Sequence, residues 1–351
     1  MTEISQKWAA KEGKLRILTA KSPEKYPIVR LFERNPPFLV PVDTLRVAGD
    51  QNQATKVELI MSESVPGAVI VISSHVVRGS VGNRAAVFAL ETLGYPVWAL
   101  PTVLLPWHPG HGPSTRVTVS EGDFNSIVDD LIRSPWTGEV RAVLSGYLGG
   151  HHQAYAVARL VDALRQKNPN LLYACDPVIG DAGGLYVPEA TAVAIRDQLL
   201  PLANLATPNR FELSWLSGAP LDTNAAILEA ALSLGPSRML VTSALPMMTG
   251  STGNLYLSGN HALLAEHRLI DNPPNGTGDL LSALFLARLL EGLSEERALH
   301  LATAGVFEII ARARKRGADE LTLEQDASSL STPMAMVQMR RLLHPSQRKN
   351  R

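Results

Sequence analysis

The chain has 351 residues, 45% of them hydrophobic and 19% charged, the balance of a folded globular protein and not of a disordered one. Lys+Arg equals Asp+Glu at 33 each, so the net charge of zero favours neither nucleic acid nor an anionic membrane as a partner. The single cysteine, Cys175, excludes an intramolecular disulfide and a cysteine-rich zinc site, and no apolar run approaches the roughly 20 residues that span a bilayer.

The N-terminus, MTEISQKWAAKEGK, lacks the apolar core of a secretory signal, and the expected location is cytoplasmic. Before Met61 the apolar residues are scattered and broken by Pro27, Pro36, Pro37 and Pro41, with a weak strand hint at Phe38 to Val42. From Ala68 the rhythm turns regular. Ala68 to Ile72 reads as a strand covered on both faces, and Gly82 to Leu93 as a helix with Gly94 at its C-terminal end. Strand character returns at Pro96 to Leu100. Ser120 is placed to cap a helix, Ala142 to Leu144 is a strand, and His151 to Lys167 a helix. Strand Leu171 to Cys175, helix Pro188 to Leu199 and the short strand Leu205 to Thr207 follow. Asp222 is placed to cap a helix reaching Leu234, and Met239 to Thr242 is the next strand. Gly253 to Leu257 and Ala262 to His267 form a hairpin, before helices Gly278 to Leu290 and Ser294 to Lys315. Repeated β-then-α units predict a single α/β domain: a mostly parallel central sheet with helices on both faces.

Ligands in such sheets sit beyond the carboxyl ends of the strands, and polar and glycine residues gather there. Asn275-Gly-Thr-Gly-Asp279 opens an apolar helix. Its glycines permit tight turns, the free N–H groups of the helix start favour an anion, and Asp279 can take a proton from an attacking hydroxyl. The alternative is a plain capped helix. The chain carries no G-x-x-x-x-G-K-[ST] phosphate loop and no G-x-G-x-x-G after a strand. Asp176, Asp181 and Glu212 follow two different strands and suit a magnesium–nucleotide site directly or through water, with turn and cap chemistry as the other explanation. His151 and His152 are adjacent and share no helix face, which argues against a metal pair. His75 follows a strand and suits a site or a buried hydrogen bond equally. Cys175 ends an apolar strand and reads as a buried thiol.

SHVVRGSVGNRAAVF at Ser74–Phe88, LSGYLG at Leu144–Gly149, CDPVIGD at Cys175–Asp181 and NGTGDLLSA at Asn275–Ala283 together resemble the pyridoxal kinases of the ribokinase-like superfamily. LYVPE at Leu185–Glu189 and TPNRFE at Thr207–Glu212 match in the same order, and the resemblance runs from about Ala68 to Pro345. It implies transfer of the ATP γ-phosphoryl group to the 5′-hydroxyl of pyridoxal, and of pyridoxine and pyridoxamine. It makes Asp279 the general base and the Gly276, Thr277 and Gly278 amides the anion hole. Ser74, Thr102 and Tyr147 would contact the pyridine ring or its substituents. Asp176, Asp181, Tyr186, Thr207, Asn209, Glu212, Thr242, Ser243 and Thr277 would surround ATP, with Asp176 and Glu212 holding the metal directly or through water. The resemblance also implies Mg²⁺, commonly with K⁺, and a homodimer. Where the family carries Val-Gln-Phe-Ser-Asn-His-Thr, this chain reads Val103-Leu-Leu-Pro-Trp-His-Pro109, so Leu105 replaces an aromatic. Trp107 is the neighbouring aromatic that would take over the contact, unless it packs at a subunit contact.

The expected organisation is an N-terminal extension at 1–64, poorly ordered or preceding the true start, a kinase domain at 65–345 and a polar tail at 346–351. Met61 begins a stretch that reads as a natural family N-terminus. Two other functions compete with pyridoxal kinase: a hydroxymethylpyrimidine kinase or related small-alcohol kinase, which shares the G-T-G-D site, and a non-catalytic pyridoxal-binding protein, which would have no use for Asp279.

Overall fold

The computed structural model of the protein describes residues 67–259 and 261–348. The expectations for residues 1–64 and for Phe38 to Val42 lie outside the described residues, as does the end of the tail. The elements in chain order begin with β1 (Ala68–Val76), α1 (Asn83–Thr92), β2 (Val97–Leu105), β3 (Val117–Thr118), α2 (Glu121–Arg133), β4 (Val140–Ser145) and α3 (His151–Lys167). Next come β5 (Leu172–Cys175), β6 (Gly180–Asp181), β7 (Gly184–Leu185), α4 (Glu189–Ala194), β8 (Leu205–Ala206), α5 (Arg210–Ser217), α6 (Asn224–Ser233) and β9 (Arg238–Ala244). The chain closes with β10 (Ser251–Ser258), β11 (Ala262–Arg268), α7 (Thr277–Leu290), α8 (Glu295–Arg316), α9 (Ala327–Ser331), β12 (Gln338–Arg341) and α10 (Pro345–Arg348).

Ten strands form one sheet in the order β12-β11-β10-β9-β8-β5-β4-β1-β2-β3. The six from β9 to β2 run parallel, and β10, β11, β12 and β3 add antiparallel edges. The apolar run in β1 serves two layers at once. Ile70 and Ile72 join the core packed by α2 to α6, while Val69 and Val71 join the core packed by α1, α7 and α8. A strand covered on both faces has no polar side to present, which is why Ala68 to Ile72 shows no alternation. α7 is buried almost all round, from Leu280 to Arg288, and reads as uniformly apolar for the same reason.

Local signals explain several element ends. The Ser120 hydroxyl accepts the Asp123 N–H at the start of α2, and Ser294 does the same for α8 through Arg297. α6 is capped by Thr223 and not by Asp222, because the Thr223 hydroxyl is the one that accepts the Ala226 N–H. The helix expected over 188–199 runs as α4 and then changes to a π-turn at Ile195–Leu199. α5 was not expected, although Asn209 and Glu212 form a complete capping box at its start.

The closeness of α7 to the sheet is the feature that places the site. Phe285 is fully buried and meets Tyr256 of β10 edge-on, with ring centroids 5.3 Å apart. Phe285→Ala is expected to cost about 3–5 kcal/mol of unfolding free energy. Urea unfolding of the two proteins measures it.

Candidate active site

One cavity of about 730 Å³ opens at the carboxyl ends of the parallel strands. α7 directs its N-terminus into it. Gly276 caps that helix at φ 89°, and a Cβ there would lie 2.1 Å from the Ser80 carbonyl oxygen. A side chain is therefore excluded both by conformation and by the loop between β1 and α1. The first-turn amides of α7 have no helical acceptor and are available to an anion. Asp279 stands in that first turn and lines the cavity. Burial pushes its carboxyl up to about 6, against the opposing pull of the Gly82 amide and its own. A carboxylate near that value accepts a proton effectively at neutral pH.

One half of the cavity, beyond Asp279, is lined by Ser74, Val81, Leu105, His108, Pro109, Arg116 and Tyr147. Of the three residues expected near the ring, Ser74 and Tyr147 line this wall, whereas Thr102 lies behind it. It is fully buried in β2, and its hydroxyl donates to the Tyr147 carbonyl at 2.7 Å, so it supports Tyr147 from behind. Trp107 is also absent from the lining. Its indole N–H is turned to the Gly112 carbonyl at 3.2 Å, and Leu105, His108 and Pro109 provide the wall instead. His75 lies off the cavity, with burial and the nearby Arg84 lowering its pKa.

The other half holds Asp176, Asp181, Tyr186, Thr207, Asn209, Glu212, Thr242, Ser243 and Thr277, the residues that the family resemblance puts around ATP. Their roles differ. Glu212 is committed: its Oε1 accepts the Ile179 and Gly180 amides at 2.8 and 3.4 Å, and its Oε2 accepts the Asn209 amide at 2.8 Å. Burial nonetheless pushes it up to about 7. Asn209 is equally occupied, since its Oδ1 accepts the Glu212 N–H and its Nδ2 donates to the Gly180 carbonyl. At Asp176 the Ser282 hydroxyl donates to Oδ2 at 3.0 Å, and Thr207, hydrogen-bonded to Ser282 in turn, also favours the ionised carboxyl. Burial, then Glu212 and Asp279, hold the Asp176 carboxyl well above the usual carboxylate range.

Buried carboxylates that repel one another fit a site completed by a cation. Among the described residues no three His, Cys, Asp or Glu side chains converge on a metal position. That donor set suits Mg²⁺, which keeps waters and takes one or two carboxylates plus phosphate oxygens. Asp176 and Glu212, both on the cavity wall, are the carboxylates that could hold it, directly or through water.

Backbone strain marks the same half. Val178 and Ser243, both on the cavity wall, have φ of 32° and 53° although neither is glycine. Residues that sequence reasoning missed include Ser282, Arg116 and His108. Ser282 carried a signal, because it lies three positions after Asp279 on an apolar helix and so shares its face.

Comparison with known proteins places this geometry. A family model described as phosphomethylpyrimidine kinase matches residues 124–324. A pyridoxal kinase PdxY of Rubrobacter xylanophilus is 36% identical over 281 residues, 78% of this chain and 97% of that protein. The chain belongs to the pyridoxal kinase family. A second member, the pyridoxine/pyridoxal/pyridoxamine kinase of Bordetella bronchiseptica, is 39% identical over 74% of this chain and 94% of its own length. Among solved structures, the pyridoxal kinase of Leishmania donovani in complex with ADP and pyridoxamine is 26% identical. It superposes with a TM-score of 0.75 over 79% of this chain and 100% of that one. The ribokinase-like fold of pyridoxal kinases is therefore the fold of this protein.

The Gly276 contact is testable. Gly276→Ala must displace the Ser80 backbone or unwind the first turn of α7. A large loss of phosphoryl-transfer rate is expected, with a lowered thermal midpoint, measured by turnover assay and thermal melting.

Proposed function

We infer that this protein is a pyridoxal kinase: it transfers the γ-phosphoryl group of ATP to the 5′-hydroxyl of pyridoxal, giving pyridoxal 5′-phosphate and ADP. The observation that carries the reading is the position of Asp279. It stands at the N-terminus of α7, between the half of the cavity holding Tyr147 and the half holding Asp176. Asp279 takes the proton of the 5′-hydroxyl as its oxygen bonds to the γ-phosphorus, ADP leaves, and the amides of residues 276–278 hold the charge on the transferring group. Positioning and charge stabilisation supply most of the rate, with little covalent work for the protein. Bound Mg²⁺ would neutralise phosphate charge, held by Asp176 directly and by Glu212 through water.

The family resemblance also carries K⁺ beside Mg²⁺, a homodimer, phosphorylation of pyridoxine and pyridoxamine, and a cytoplasmic location. Among the described residues no helix is long and apolar enough to cross a membrane. The match to the phosphomethylpyrimidine kinase model keeps hydroxymethylpyrimidine as a second acceptor to assay. A pyridoxal-binding protein without activity is disfavoured by the intact base and its glycines.

Purified protein with ATP, Mg²⁺ and each acceptor tests the reading through formation of the phosphorylated product. No phosphorylation of any B6 vitamer would end it. Asp279→Asn is expected to lower kcat by about two or more orders of magnitude with ADP binding retained. Because burial raises this carboxyl, wild-type kcat should fall as pH drops through about 6 and the base is protonated. At higher pH the ionised group is disfavoured in the fold, so the Asn variant should melt no lower than the wild type. A variant with near-normal turnover would remove Asp279 from the base role.

We also propose that residues 65–345 form the kinase domain and that 1–64 are an extension. In support, the Rubrobacter relative is matched over 97% of its length by 78% of this chain. A protein beginning at Met61 is expected to be soluble and to phosphorylate pyridoxal with unchanged kcat. Insolubility or inactivity of that shortened chain would assign the segment to the fold or the site.

A further inference from the structure

β3 is a two-residue strand, paired antiparallel with β2 through Val103–Thr118 and Leu104–Val117. That register carries the next residue, Arg116, to the side of Leu105, and both line the cavity in the half beyond Asp279. The guanidinium Nη2 of Arg116 donates to the Tyr147 hydroxyl oxygen at 2.6 Å, and its central carbon lies 5.2 Å from the Tyr147 ring centroid. Among the described residues Arg116 has no carboxylate partner. A guanidinium has five N–H donors, and this one uses a single donor on a neutral phenol.

The arrangement has a direct chemical consequence. The Tyr147 oxygen accepts from Arg116, so its own O–H remains free to donate. Arg116 and Tyr147 thus present N–H and O–H donors side by side, next to apolar Val81 and Leu105. A cation with spare donors on a partly apolar wall is complementary to an anionic oxygen. Two reactants bring such an oxygen: the B6 ring, whose 3-hydroxyl is acidified by the electron-poor pyridine ring, and ATP, through its γ-phosphate. The position of Arg116 among Ser74, Leu105 and Tyr147, and not among Asp176, Thr207 and Thr242, favours the ring.

We propose that Arg116, aligned by Tyr147, is a specificity residue that binds the ionised 3-oxygen of the B6 ring. The proposal rests on the reading of the protein as a pyridoxal kinase. It also supplies a reason for choosing a pyridoxal-type ring over hydroxymethylpyrimidine, which has no such oxygen.

The test uses the full chain, with Arg116→Ala and Arg116→Lys assayed on pyridoxal and on 3-deoxypyridoxal at saturating and limiting ATP. Arg116→Ala is expected to lower kcat/KM for pyridoxal by about tenfold or more. It should leave kcat/KM for the 3-deoxy compound and the KM for ATP unchanged. Arg116→Lys should recover part of the loss, as a point charge without the planar fork. Absorbance of the bound vitamer supplies a second readout: the wild type should hold the ring in its 3-oxyanion form at a pH where free ligand is largely neutral, and Arg116→Ala should not. Equal losses on both acceptors, or a raised KM for ATP, would overturn the proposal while leaving the kinase reading intact. Failure of the wild type to phosphorylate pyridoxal would overturn both.

Discussion

The approach of one backbone to another at Gly276 is the constraint on which the site depends. The Ser80 carbonyl sits where a side chain on residue 276 would begin, so the loop after β1 and the start of α7 meet backbone to backbone at this point. That contact brings the amides of α7 and the Asp279 carboxyl to the cavity that Ser74 of β1 and Tyr147, two residues after β4, also line. Glycines at two further positions keep the same region tight. A Cβ on Gly82 would lie 2.3 Å from the Ser74 carbonyl oxygen, and one on Gly146 would lie 2.7 Å from the Ser73 hydroxyl. The loop is held on its outer side as well. Glu320 accepts the Ser80 amide at 3.3 Å and meets His111 at 2.8 Å, while Arg78 makes two hydrogen bonds to Asp319. The start of α7 thus rests on a loop fixed from both sides, the arrangement that preorganised charge stabilisation requires.

Electrostatics divide the cavity into two unlike halves. Burial raises the proton affinity of Asp176, Glu212 and Asp279, the charges of Glu212 and Asp279 add to it at Asp176, and nearby hydroxyls and amides relieve part of the cost. The half containing Arg116 carries the opposite sign. On the proposed function, a metal-bound polyphosphate and a ring with an acidic oxygen would be complementary to these two halves respectively, with Asp279 where they meet. Cys175 lies directly beneath this chemistry without taking part. Burial pushes its thiol up to about 12, as expected of a packed side chain and not of a nucleophile.

Much of the fold was legible because the alternation of apolar runs and amphipathic stretches follows from local geometry. β1, α3 and the β10–β11 hairpin appear in the sequence nearly at their observed places, and the Ser120 and Ser294 caps mark their helices. α5 escaped notice because the short strand β8 runs almost directly into it, although its capping box was present in Asn209 and Glu212. β3 and β12 escaped because two and four residues show no period, and their pairing partners are supplied by distant strands.

The sequence by itself determined the α/β alternation, the glycine-rich start of α7 with its carboxylate, and membership in a family of kinases. Each depends on residues close together in the chain, where spacing translates directly into geometry. Which hydroxyls and charges face the cavity was decided only by the tertiary structure. Thr102 and Arg116 illustrate the difference: strand pairing turns the expected ligand, Thr102, into a buried support for Tyr147 and brings the unremarked Arg116 to the wall. Strand pairing sets which face a side chain takes, and that pairing is made between segments that the local sequence does not connect.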